Sequence, residues 1–371
     1  MGGDQIRVEQ PSTLEHLTEF ARLPYHVYRN REAWWPPDIQ NEIDLLSGKS
    51  LLSTYLEMAP FCARRDGRVV ARVTAVINRR YIEHWHEPLG QLIHFEALED
   101  EDDAVSAMIE AAVQWLKARA MLAVRSGFAA FLDYPYAIDN YGSLPSFLLR
   151  DNPPSYHRYF KQAGFITEKG QVDYTAPLTP EIQARYRSVS GAASASGVRV
   201  RSWRDYGFLA AIDSWTDVTT AAFDKHWGWN PVTRGEVRPM LMSLWETPVA
   251  DLSMLATIGN EVVGAVFSVP DLSPMLVKVR AGAKLPPERG GGTRGALINI
   301  GVLESARGRG VALAMTARSF LAMAELKMRF AGYTLVLDDN WASRRTALSA
   351  GANVTGNFVT YRRELSTVHP H

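Results

Sequence analysis

The residues most able to do chemistry are Arg307-Gly308-Arg309-Gly310-Val311-Ala312, which follow closely on the apolar segment Leu297-Ile298-Asn299-Ile300-Gly301-Val302. A strand that turns through small residues into a helix leaves several backbone N–H groups unpaired at the helix start. Together with the positive end of the helix dipole, they form a seat for phosphate. Two arginines add charge to that seat, although the same run is also compatible with a solvated loop. Val311 to Met328 is rich in Ala, Leu and Met, as a long helix should be. The turn is not a Walker loop, because no Lys-Ser/Thr follows, and it is not the G-x-G-x-x-G dinucleotide fingerprint. Other chemistries lack their residues. Cys62 is the only cysteine, His84-x-His86 has no carboxylate or Cys partner at ligand spacing, and no G-x-S-x-G elbow occurs. No metal site, disulfide or serine hydrolase is expected.

The elements that must position this loop belong to an ordinary globular chain of 371 residues, 46% hydrophobic and 22% charged, long enough for two domains. Forty basic and 40 acidic residues give a formal charge of zero, which argues against a nucleic-acid partner. No run of about 18 apolar residues is present. Met1-Gly2-Gly3-Asp4-Gln5 lacks both the regions of a secretory signal and the Ser or Thr of a myristoylation motif. A cytoplasmic protein without a membrane partner is the expectation, and Cys62, in an apolar run, reads as inert core.

The chain repeats its own plan. Asp66-Gly67-Arg68-Val69-Val70-Ala71-Arg72-Val73 matches Gly259-Asn260-Glu261-Val262-Val263-Gly264-Ala265-Val266 as a hairpin turn and alternating strand. Leu92 to Glu99 parallels Leu297 to Glu304, and Asn152 with Ala163-Gly164-Phe165 parallels Asn340 with Ala350-Gly351-Ala352. Ser188 to Gly197 has the small-residue composition of a flexible linker. The expected division is a first domain over 1–185, a linker over 186–197 and a second domain over 198–371. After the repeated strand the first half reads Asp100-Glu101-Asp102-Asp103, carboxylates that satisfy a helix dipole themselves and would repel a pyrophosphate. One anion site, in the second half, is expected.

The pattern R-x-x-G-x-A, with Leu335-Val336-Leu337-Asp338-Asp339-Asn340, Ser343 to Ala350, Gly351 and Phe358-Val359-Thr360-Tyr361-Arg362 at the following spacings, resembles the GNAT superfamily of acyl-CoA-dependent N-acyltransferases. The runs His84-Trp85-His86, Asp151 to Tyr156 and His226-Trp227-Gly228-Trp229-Asn230-Pro231 extend a resemblance to bacterial tandem-GNAT proteins over nearly the whole chain. It implies an α/β (α+β) fold of two tandem GNAT-like domains. Each would hold a mixed, mostly antiparallel sheet flanked by helices, in the order β-α-β-β-β-α-β-α-β.

The resemblance further implies acetyl-CoA or another acyl-CoA as donor, with Arg307, Gly308, Arg309, Gly310, Val311 and Ala312 at the pyrophosphate. Backbone of Ile300, Gly301 and Val302 would meet the pantetheine arm between the fourth and fifth strands. Asn340 would touch the arm from the other side, cap the next helix, or both. The implied reaction is direct acyl transfer, acetyl by default, to the amine of a small molecule in a ternary complex. Alternatives are a non-catalytic acyl-CoA-binding scaffold and a donor carried on an acyl carrier protein. The family's general-acid tyrosine, seven residues after the asparagine, is here Ala347, and Tyr361 on a later strand is a substitute or a packed ring. Asp338, by strand alternation on the face of Asn340, is a candidate base or amine-binding group, or a carboxylate favouring the helix dipole. His226 is a second candidate base or a packed aromatic, and Trp227 and Trp229 line an apolar pocket or the core. Pro286 to Arg294 reads as a Gly/Pro-rich loop.

Overall fold

A computed structural model describes residues 5–129, 132–280 and 292–365. The Met1 to Asp4 start and the Pro286 to Gly291 part of the Gly/Pro-rich loop lie outside the described residues. In chain order the elements are β1 (Ile6–Glu9), α1 (Leu14–Val27), α2 (Ile39–Leu46), β2 (Leu56–Arg65), β3 (Arg68–Asn78), α3 (Arg79–Trp85), β4 (Leu89–Ala97), α4 (Asp102–Lys117), β5 (Ala123–Ser126), β6 (Tyr136–Ala137), α5 (Ser155–Gln162) and β7 (Ile166–Pro177). There follow α6 (Pro180–Ala195), β8 (Val198–Ser202), α7 (Phe208–Phe223), α8 (Arg234–Met242), α9 (Val249–Leu252), β9 (Met254–Ile258), β10 (Glu261–Pro270), α10 (Ser273–Arg280), β11 (Arg294–Val302), α11 (Val311–Glu325), β12 (Phe330–Leu337), α12 (Trp341–Ser349) and β13 (Asn353–Glu364).

The chain forms two compact units, and their limits are not the expected ones. The first contains Met1–Leu144, Leu149–Gly170 and Phe358–His371; the second contains Pro145–Leu148 and Gln171–Asn357. Each half of the chain therefore gives the latter part of its last strand, Gln171–Pro177 of β7 and Phe358–Glu364 of β13, to the other half's unit. In the first unit β1 to β5 pair in order, antiparallel except for the parallel β4–β5 pair, and the end of β13 completes the sheet, Tyr361 opposite Ser126. In the second unit β8, β9, β10, β11 and β12 pair in the same pattern, β11–β12 being parallel. Gln171 to Pro177 of β7 then closes the far edge of β12.

Matching helices cover matching faces. Along α4 the buried residues Ala104, Val105, Met108, Ile109, Ala112, Val113 and Leu116 recur at three- and four-residue intervals, one stripe facing the sheet. The long α11 does the same in the second unit, where Val311, Met315, Ala317 and Phe320 join the core of β7, β10 and β12.

The expected linker is a correction. Residues 180–195 form α6, with Thr179 capping Ile182 N–H and proline at the first helical position, both strong start signals. Tyr186 is buried, meets Phe320 edge-on at 5.8 Å between centroids, and donates to Ala350 O at 2.6 Å. From the run that suggested flexibility, Val189 and Ala193 pack against the second unit's core, while Gly191, Ala192 and Ser194 to Gly197 are exposed on the helix and its end.

Candidate functional site

Two bulges open the second unit's sheet. The β11–β12 pairing runs from Arg294 opposite Phe330 to Leu297 opposite Tyr333 and then stops. At that level the β10–β11 register slips, Phe267 facing Asn299 but Ser268 facing Leu297, which leaves Ile298 extra. On β12, Tyr333 faces Tyr174 and Val336 faces Val172, so Thr334 and Leu335 together oppose Asp173, with Leu335 at φ +58°. A bulge bends its strand and raises the local twist, and here one lies on each strand beside the gap. β11 stays paired to β10 as far as Val302, while its other edge has no strand beyond Leu297 among the described residues. Ile298, Asn299, Ile300 and Val302 are half-buried along it.

The edge leads to the arginine loop. Leu303 N–H is held by Val263 O, a 3-10 turn spans Glu304–Ala306, and Gly308 and Gly310 then take φ +76° and +74°, a region that favours glycine. Gly310 opens α11 with no side-chain cap, and the first N–H with a carbonyl partner there is Ala314, bonded to Gly310 O. From Gly308 to Leu313 no backbone N–H has an acceptor among the described residues. Arg307 and Arg309 are exposed and without an ion pair among those residues. These N–H groups and guanidiniums are the ones that the sequence reading assigned to an anion seat.

The first unit repeats the parting, with β4–β5 pairing stopping at Leu92 opposite Ser126 and the β3–β4 register slipping between Arg72 and Thr74, but not the uncapped arginine loop. Its α4 start is occupied by carboxylates: Arg65 pairs with Glu101 and Asp103, and Arg158 grips Asp102. Tyr136 is buried where β4 and β5 part, with its hydroxyl 2.9 Å from Ser126 Oγ, and a Cβ at Gly127 would stand 2.8 Å from its ring. Tyr156, Phe95 and Phe160 pack around it.

The remaining candidates fall differently. Asn340 caps α12, its Oδ1 accepting from Ser343 N–H at 3.1 Å. Asp338 is exposed, but β12 ends at Leu337, so Asp338 stands in the turn and the alternation argument for its face does not hold. Its carbonyl is fixed by Arg344 at 2.9 Å. His226 is half-buried, edge-on to Phe223 at 5.0 Å, and the Phe223 ring comes within 3.4 Å of where a Gly301 Cβ would be, which brings His226 near the gap. Trp229 is buried and stacks on Phe223, whereas Trp227 is half-buried. Tyr361 belongs to the first unit, stacked on Phe160, with its hydroxyl bonded to His157 and burial pushing it up to about 12. The sequence reading offered Tyr361 as a substitute acid or a packed ring on a later strand, and the end of that strand belongs to the first unit. Ala347 is fully buried in the second unit's core.

Sequence reasoning missed three groups. Tyr174 and Tyr361 each stand ten residues after the glycines Gly164 and Gly351, so the internal repeat equates them, and the exchange puts Tyr174 in the second unit, where Arg344 donates to its hydroxyl. Tyr333, at the last β11–β12 pair, has its hydroxyl 2.9 Å from Ser343 Oγ, and burial pushes it up to about 12. Ser343 and Ala347 are four residues apart on one face of α12. Asp173 is buried beside the bulge. Burial pushes its carboxyl up to about 6, against the opposing pull of Ser146, Thr355, Arg294 and Thr334. Burial, with Glu9 adding to it, pushes the Cys62 thiol up to about 12. Among the described residues no helix is long and apolar enough to cross a membrane, and no group of three or more metal-ligating side chains occurs.

No family model matches the chain. A relative named bacterial ceramide synthase, from Caulobacter vibrioides, is 23% identical over 284 residues, 76% of this chain and 73% of its own length. Among solved structures, a GCN5-related N-acetyltransferase from Sphaerobacter thermophilus superposes with a TM-score of 0.57 at 16% identity, covering 97% of this chain and 95% of that one. A tandem GNAT protein from the clavulanic acid biosynthesis pathway superposes with a TM-score of 0.58 at 9% identity, over 97% and 98% of the two chains. With two like-built units and neighbours that span the whole of it, this chain has the fold of the GCN5-related N-acetyltransferases in tandem.

Proposed function

We propose that the second unit is an acyl-CoA-dependent N-acyltransferase that joins an acyl group to the primary amine of a small molecule within a ternary complex. The observation that carries this reading is the open edge of β11 ending in the uncapped start of α11. The donor fits these residues. N–H groups from Gly308 to Ala312 and the Arg307 and Arg309 guanidiniums suit a pyrophosphate, and a Cβ at Gly308 or Gly310 would meet nothing within 4 Å, so the space over the loop is clear. Backbone of Ile300, Gly301 and Val302 suits the pantetheine arm, and the Asn340 amide nitrogen is left for it once Oδ1 has capped α12. The bound donor, acetyl-CoA or a longer acyl-CoA, supplies a thioester-activated acyl group.

The acceptor must present a neutral amine, so its ammonium proton has to leave before attack. Tyr333 keeps its phenolic proton at neutral pH and serves the leaving thiolate in place of the absent tyrosine at Ala347. His226 and Asp338 lie on the acceptor side. The relative's name makes long-chain amino alcohols the first acceptors to test, because a ceramide is the amide of such an amine. A non-catalytic acyl-CoA-binding protein is the second reading, favoured by Ala347 alone.

The test mixes the full-length protein with acetyl-CoA or palmitoyl-CoA and a panel of amines, and follows thiol release with a chromogenic disulfide. The only cysteine is buried and gives little background. At least one amine should release thiol. Replacing Arg307 and Arg309 by Ala should weaken CoA binding at least about tenfold, since each charge-assisted contact contributes roughly 1.5–3 kcal/mol. Wild-type CoA affinity in that variant would remove the loop assignment, and CoA binding without thiol release from any amine would leave the non-catalytic reading.

A further inference from the structure

Asp173 lies on β7 between Val172 and Tyr174, both of which face the core beneath α11, so its own side chain faces the other side of the sheet. It stands one residue beyond the Tyr333–Tyr174 pair, level with the point where β11 and β12 part and opposite the strained bulge at Leu335. The side chain is 2% exposed. Its Oδ2 accepts from Ser146 Oγ at 2.9 Å and from Thr355 Oγ1 at 3.2 Å, whereas Oδ1 is buried without a hydrogen bond of acceptable geometry, its neighbouring donor being the Thr334 hydroxyl on the facing strand, which is likewise buried and unsatisfied. The nearest opposite charge is Arg294 on β11, which is itself paired with Asp271 at 2.6 Å. The Pro145–Leu148 segment, β12 and residues 353–357 of β13 contribute no charged side chain.

A buried carboxylate oxygen without a well-formed hydrogen bond is costly, and the fold does not require it. The internal repeat supplies the control. Nine residues after Gly351, as Asp173 is nine after Gly164, stands Thr360, fully buried in the first unit, whose gap Tyr136 fills. Threonine suffices where the gap is closed, and the carboxylate is found where it is open. We propose that Asp173 accepts the ammonium proton of the acceptor amine at the head of the β11–β12 gap.

The inference rests on the acyl-transfer reading and adds the fate of the proton. The ammonium gives one proton to Asp173 Oδ1. The neutral amine nitrogen then forms the C–N bond as the C–S bond breaks, and the second nitrogen proton ends on the departing thiolate by way of Tyr333. Asp173 returns its proton to water. The acceptor is thus a primary amine that arrives protonated, and the strand that binds it comes from the other half of the chain.

The test uses the full-length protein with CoA or acyl-CoA, and sphinganine and hydroxylamine as amines. Asp173→Asn should lower kcat/KM for sphinganine by about 10²–10⁴-fold and remove the acid limb of its pH profile, while hydroxylamine, already largely neutral at pH 7, should lose less than about tenfold. Donor affinity should not change. Ser146→Ala removes a hydrogen bond to the carboxylate and should move the wild-type limb, expected near pH 6, upward. Independently of turnover, infrared difference spectra between pH 5 and 8 should show a protonated-carboxyl band in the wild type that is absent from Asp173→Asn and is diminished by sphinganine in the CoA complex. Thiol release by Asp173→Asn with an unaltered pH profile, or a band indifferent to sphinganine, would overturn the proposal. A band that responds to sphinganine while no amine releases thiol would retain Asp173 as the amine site and defeat the acyl-transfer reading instead.

Discussion

Gly308 and Gly310 are held in place by the sign of φ, not by crowding, and this makes them separable from the arginines beside them. Gly310→Ala places a Cβ in the left-handed region at a cost of roughly 1–2 kcal/mol and should lower the denaturant midpoint while also weakening CoA binding measured by calorimetry. The arginine substitutions should weaken binding alone. Ala347 has the opposite character, because its surroundings leave no space. Ala347→Tyr, which would restore the family's usual acid, should instead cost about 1–3 kcal/mol by overpacking and leave kcat unimproved. Tyr333→Phe is the informative counterpart. It removes one hydroxyl that among the described residues bonds only Ser343, and should reduce kcat about 10²–10⁴-fold with CoA affinity unchanged if the phenol protonates the thiolate. An unchanged kcat would return Tyr333 to a packing role.

At the scale of elements, the exchanged strands decide how the chain can be cut. Residues 198–371 alone would leave β12 without Gln171–Pro177 along its edge and would carry the end of β13 without its partner β5. An uncovered edge strand is a template for aggregation. The fragment should show no cooperative thermal transition by circular dichroism, and co-expression with 1–197 should recover soluble protein. A fragment that melted cooperatively at the wild-type temperature would contradict the exchange. α6 teaches the same lesson from composition: Ala, Ser and Gly allow close packing as readily as they allow flexibility, and only the Thr179-Pro180 start distinguishes the two.

For the molecule as a whole, ligand and proton linkage give two bulk measurements. If CoA binds the folded state only, as proposed, then at a hundred times its dissociation constant it should add about 2.7 kcal/mol of stability, read as a rise in melting temperature that the arginine double variant lacks. Asp173 sets a pH dependence of definite sign. Its carboxyl titrates at about 6 when folded against 3.8 for an ordinary aspartate. Between these values the folded state holds the extra proton, so stability from this group is present below about pH 4 and is lost as pH rises through 6. The unfolding free energy of Asp173→Asn relative to wild type should therefore rise by roughly 3 kcal/mol from pH 4 to pH 7, and a constant difference would show that the group is not perturbed.

Local chemistry made much of this protein legible from its sequence. The arginine turn, the Asn340 cap, the hairpins and the carboxylates opening α4 are each decided by a few adjacent residues, because φ preference, orphan N–H groups and the helix dipole act over a single turn. The internal repeat was legible for the same reason, as like turns recur in like order. Which unit receives each final strand was not, since β7 and β13 are interchangeable in pattern and only long-range pairing assigns them. That assignment moved Tyr361 out of the second unit and brought Tyr174 and Asp173 into it. Whether a buried carboxyl finds partners for both oxygens is likewise settled by neighbours distant in sequence, here Ser146 and Thr355, and so Asp173 could be recognised only once the chain was folded.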